Sequence, residues 1–173
     1  MTLAVALAAC GGSGKPKAQP ATTASTSPST TFPATSTSTS SAAAVLAAYR
    51  AGWMAFQHAL ADANPEDPEL AATIVDPQLQ SVKANLLADR AQGIVGRGST
   101  TLHPKVTALS STSATVVDCV YSTTELVYAK TGRPVPPVTP PENDGVTSKL
   151  VLTGGVWKVY KQTVTDGRCA PGS

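Results

Sequence analysis

The sequence predicts an α+β domain behind a low-complexity leader, on three observations. Apolar residues recur at helical spacing up to about residue 92 and alternate with period two from His103 onward. Between Gly11 and Ser41 they almost vanish. Helices first and strands afterwards place the helices on one face of a curved antiparallel sheet.

The leader divides in two. Residues 1–10 end in Leu7-Ala8-Ala9-Cys10, which fits the bacterial lipobox: a Leu, two small residues, then the cysteine that takes diacylglycerol on its sulfur. The small residues admit the peptidase, and Cys10 becomes the first residue after cleavage. A full signal peptide has a cationic start and roughly 7–15 apolar residues. This stretch has no Lys or Arg before Cys10, so residues 1–10 are expected to be a partial signal peptide, with translation starting upstream or the sequence truncated. Residues 11–41 hold eight Ser, eight Thr and four Pro among 31 positions. Such a composition cannot bury enough apolar surface to offset a backbone ordering cost of ~1–2 kcal/mol per residue, so a disordered tether is predicted. Its mean span is about 30 Å at ~5–6 Å × √n. Its hydroxyls either accept O-linked sugars or stay bare.

The domain occupies 42–173. A helix is predicted over 42–62 from the stripe Leu46, Tyr49, Trp53, Phe56 and Leu60, with Ser41 as N-cap and Asn64-Pro65 ending it. Asp67-Pro68 and Asp76-Pro77 each read as an N-cap followed by Pro, opening helices at 68–74 and 77–92. Gly93 stands where a C-cap belongs, and GIVGRGST reads as a flexible junction. Strands are predicted at 105–109, 114–121, 125–130, 146–152 and 156–164. Thr153-Gly154-Gly155 is a hairpin turn, and the five prolines of GRPVPPVTPPENDG make a stiff loop.

Charge and cysteine usage narrow the function. From Ala42 on there are 11 Lys/Arg and 11 Asp/Glu, so the basic footprint of a nucleic-acid binder is missing. No phosphate loop, dinucleotide fingerprint or nucleophile elbow occurs, and Cys and His lack zinc spacing, so no cofactor or metal is expected. Three cysteines in an exported chain ask for an explanation. With Cys10 lipidated, Cys119 and Cys169 remain to form a disulfide; the alternative is two buried free thiols.

Tyr49, Trp53, Tyr121, Tyr128, Trp157 and Tyr160 are candidate pocket-lining residues, or else simply core. Asp118 shares a strand face with Val116 and Val120, opposite Val117, Cys119 and Tyr121, and is expected to point outward, solvated or salt-bridged. Facing inward beside a Tyr, it would be the best general-base candidate. His58 and His103 read as surface and loop, and neither is assigned a catalytic role.

The order Tyr49-Arg50-x-x-Trp53, Gly96-Arg97-Gly98, Val117-Asp118-Cys119, Gly155-Val156-Trp157-Lys158-Val159 and Asp166-Gly167-Arg168-Cys169 resembles the NTF2-like superfamily, of ketosteroid-isomerase-type fold. More narrowly, it is similar to NTF2-like lipoproteins of high-GC Gram-positive bacteria. The resemblance covers about residues 42–170. It implies a cone of bent sheet wrapped on helices, usually around an apolar pocket and often in a homodimer. Relatives with isomerase or cyclase activity place an Asp base and Tyr or Asp donors in the cone; no position here is matched to them residue by residue. The expectation is a non-catalytic, lipid-anchored protein on the extracytoplasmic face of the cell membrane. Its domain binds a small apolar ligand or an envelope protein. The alternatives are an enzyme using the cone and an accessory subunit of an envelope complex.

Overall fold

The computed structural model describes residues 41–138 and 140–170, the side chains of 166–168 excepted. Cys10 and nearly all of the tether lie outside the described residues.

The domain is α+β: the described residues form three helices followed by antiparallel strands. Helix α1 (Ala42–Ala61) starts at Ser41, whose hydroxyl accepts from the Ala44 amide. Its buried positions are Val45, Tyr49, Gly52, Ala55, Ala59 and Leu60. The face in contact is thus the small-residue side of the predicted stripe, leaving Trp53 and Phe56 half-buried at its border. The reason is close approach: a Cβ on Gly52 would stand 2.9 Å from Val159 Cγ2. Helix α2 (Pro68–Thr73) is capped by Asp67, which accepts from the Glu69 amide at 2.9 Å. Helix α3 (Gln78–Gln92) ends at Gly93 in the left-handed region, as its C-cap position predicts. At its other end Asp76 is not the cap; its carboxylate accepts from the Gln80 side chain instead.

The junction read as flexible is ordered. Ile94–Arg97 forms β1 and pairs with β5 (Glu125–Tyr128), while Thr100–Thr101 forms β2 and pairs with the end of β4 (Ser113–Ser122). Two of the connections between the two sheets, Gly98-Ser99 and Thr123-Thr124, run side by side, with the Thr123 amide donating to Ser99 O at 2.9 Å. One long two-stranded ribbon is bent there, so the glycines serve a kink rather than mobility. Strand β3 (Lys105–Leu109) pairs with the first half of β4; β6 (Glu142–Thr153) and β7 (Val156–Arg168) complete the sheet on its other side.

The helices cover the inner face of the sheet. On β4 that face carries Ala114, Val116, Asp118 and Val120, all buried. Val146, Ser148 and Leu150 of β6 continue it. On β7 a register shift beside Tyr160 reverses the alternation, so Trp157 and Val159 face inward before it, and Gln162 and Val164 after it. Cys119 and Cys169 are joined by a disulfide.

Candidate binding site: an apolar cleft backed by a buried polar cluster

Where α1, α3 and β7 diverge they leave a cleft of about 210 Å³. Its apolar walls are Trp53 and Phe56 of α1, Ile74, Val82 of α3, and Val159 and Val164 of β7. Gln78, Ser81, Asn85 and Gln162 supply polar groups, and among the described residues no ionisable side chain lines it. The aromatic pair is set edge to face, centroids 6.2 Å apart and planes at 78°. The floor is tied down: the Val75 amide donates to Val159 O at 2.9 Å, and the Gln162 amide to Gln78 Oε1 at 2.9 Å. The wall opposite α1 is therefore fixed by one backbone and one backbone-to-side-chain hydrogen bond before any ligand arrives.

Behind Trp53 the interior turns polar. Asp118 is only 2% exposed, which corrects the expectation of a solvated carboxylate. The strand parity holds, but the face shared with Val116 and Val120 is the buried one. Asp118 Oδ1 accepts from the His103 amide at 2.6 Å, and the His103 ring lies 3.0 Å from Cys119 O. Asp118 Oδ2, Tyr49 Oη, Trp53 Nε1 and Ser148 Oγ are buried without a hydrogen-bond partner among the described residues. The Tyr49 hydroxyl is near enough to both Trp53 and Asp118 to feel them, yet meets hydrogen-bond geometry with neither. Burial pushes its phenol far above the ordinary tyrosine range, and the Asp118 charge pushes the same way.

A buried polar atom left unpaired costs about 1–3 kcal/mol. Tyr49→Phe and Ser148→Ala are therefore each expected to raise stability by about 1 kcal/mol, read as a higher urea midpoint at unchanged slope. A loss of that size would show that both hydroxyls are already satisfied.

The six aromatic candidates do not converge on one space. Tyr49 and Trp157 are buried in the core, Trp53 alone lines the cleft, and Tyr121, Tyr128 and Tyr160 are exposed on three different strands. Tyr121 follows the parity of exposed Val117 on the outer face of β4. Cleft residues that the sequence does not single out are Gly52, Ile74, Gln78, Ser81, Asn85, Gln162 and Val164. The last two are unreadable without the β7 register shift.

His58 also meets neighbours the sequence spacing conceals: Asp67 at 3.1 Å and Glu69 at 3.7 Å. The three could hold a cation, with ligand atoms within 4.8 Å of one another. An ion pair beside the α2 cap accounts for the same arrangement, since Asp67 is already engaged there.

Among solved structures, the chain is similar to the intermembrane space region of chloroplast protein ARC6, with 14% identity and a TM-score of 0.55, over 73% of this chain and 98% of that one. It is also similar to a putative scytalone dehydratase from Novosphingobium aromaticivorans (18% identity, TM-score 0.43, 73% and 89% covered). A protein of unknown function with a cystatin-like fold from Nostoc punctiforme gives 12% identity, a TM-score of 0.44 and coverage of 72% and 91%. At these identities the likeness concerns the fold alone. No family model and no curated protein matches the chain.

Proposed function

We propose that this is a lipid-anchored protein of the cell envelope whose NTF2-like domain binds a small, uncharged, largely apolar ligand without transforming it. The observation that carries the binding reading is the cleft itself: concave, aromatic on one wall, amide-lined and without a charged side chain among its described residues. Its volume lies below the ~300–1,000 Å³ of pockets for drug-sized molecules, so the ligand is smaller than those. Trp53 is the expected anchor, because it spans cleft and polar interior.

N-phenyl-1-naphthylamine, a neutral apolar fluorophore, is a suitable probe. Trp53→Ala is expected to weaken its binding at least ten-fold with an unchanged far-UV circular dichroism spectrum; unaltered affinity would remove the cleft from consideration. For the anchor, detergent-phase partitioning of the native protein should be lost in Cys10→Ala, each buried methylene of the lipid contributing ~0.8 kcal/mol. Equal partitioning of both proteins would end the lipid reading.

An isomerase- or cyclase-like activity has one observation in its favour, the carboxylate of Asp118 buried beside the phenol of Tyr49. A base must reach the proton it takes. Tyr49 is fully buried and Asp118 only 2% exposed, and neither lines the cleft, so a substrate would reach the carboxylate only by displacing core side chains. Binding in the outer cleft needs no such movement and is the reading preferred.

A further inference from the structure

A second cleft, of about 740 Å³, lies between the end of α3 and the loop after β5. Arg90, Lys130 and Arg133 line it with Tyr128, Pro134 and Pro136, and among the described residues no acidic side chain does. We propose that this cleft is an anion site for a phosphate-bearing molecule, either free or carried on a lipid headgroup.

Three arguments support it. First, the cations are uncompensated: none of the three forms an ion pair with a carboxylate among the described residues. From Leu126 to Pro141 the chain contains Lys130 and Arg133 but no Asp or Glu, although positive and negative residues are equal in number over the domain as a whole. A helix C-terminus gives Arg90 a structural reason to be cationic; it gives none to Lys130 and Arg133. Second, the frame is rigid. The Tyr128 amide donates to Arg133 O at 2.9 Å, the Gly132 amide to Tyr128 O at 2.8 Å, and the Ala129 amide to Gly93 O at 2.8 Å. The loop is thereby fastened both to β5 and to the end of α3, so the two sources of positive charge keep their relation. Third, two of the three groups are guanidinium forks, whose planar donors match phosphate oxygens two at a time. Three positive charges suit a group carrying two or more negative ones.

The test uses the full chain as Cys10→Ala, so that a covalent lipid does not itself deliver the protein to membranes. At low ionic strength, calorimetry with pyrophosphate should show saturable binding, weakened at least ten-fold in Arg90→Gln/Arg133→Gln. Lys149→Gln/Lys161→Gln removes the same charge from a directly paired site on β6 and β7 and should leave binding unchanged. A parallel arm measures flotation with phosphatidylcholine vesicles with and without phosphatidylglycerol. Arginine-dependent binding to pyrophosphate identifies a free phosphate ligand; arginine-dependent binding to the anionic vesicles alone identifies a headgroup. The proposal is overturned if neither probe binds in an arginine-dependent way, or if the lysine pair weakens binding as much as the arginine pair.

Discussion

Cys119→Ser, Cys169→Ser or reduction of the intact protein should each lower the thermal midpoint by roughly 10–20 °C. The bond closes 50 residues of chain, for which the loop-entropy relation gives about 4 kcal/mol. Its position adds to the effect. Cys119 on β4 lies opposite Gly145 of β6, and Gly145 lies opposite Thr165 of β7. Two strand spacings of ~4.8 Å would separate β4 from β7, yet the two Cα atoms are 5.7 Å apart. The chain end therefore folds back over β6. Cys119 is buried although its parity matches exposed Val117 and Tyr121, because the bridge covers it. Without the bond, the end of β7 loses its covalent tie to β4 and is held in the sheet by its pairing with β6. The double variant should match the reduced wild type; a midpoint drop below about 2 °C would mean the sheet holds that end unaided.

How much of this is legible in the sequence follows from what each signal encodes. Helix starts at Ser41 and Pro68 and the stop at Gly93 are written in single residues with local causes, so they are readable. The same holds for β3, whose predicted and observed bounds coincide at Lys105–Leu109. The cysteine pair is readable by arithmetic. Period-two alternation gives the right partition of β4, but alternation has no sign: it separates two faces without saying which one the helices cover. Asp118 reads as outward because a carboxylate normally is. Its burial depends on α1 lying across the sheet, a long-range fact that no window of sequence contains. The cleft is harder still. It exists because α1 approaches β7 through Gly52 and its alanines and leaves Trp53 and Phe56 standing off, and because a register shift turns Gln162 and Val164 inward. Small residues in a helix read as neutral filler until the partner strand is known.

Gly98→Ala is expected to cost about 3–5 kcal/mol, the second large effect, and it tests the bend between the two sheets. Gly98 has φ +132°, and a Cβ there would stand 2.3 Å from Thr123 O, with Thr123 C and Thr124 Cα both at 2.7 Å. All three are backbone atoms of a segment fastened to Ser99, whose amide donates to Thr123 Oγ1 at 3.1 Å and whose carbonyl accepts the Thr123 amide. No flexible side-chain end can move aside, so the connections must separate and the kink must open. Gly93 provides the control. It too has positive φ, +68°, but a Cβ there would meet nothing within 4 Å, so Gly93→Ala carries only the conformational cost of about 1 kcal/mol. Alanine can enter the left-handed well of Gly93 at modest cost, whereas at Gly98 a φ outside that well and close approach to backbone act together and make the loss several-fold larger. Urea denaturation of both variants reads the difference: equal losses would restore the flexible-junction reading, and a large loss confined to Gly98 assigns this glycine to the bend, where its φ and the packing of one chain connection against another both require it.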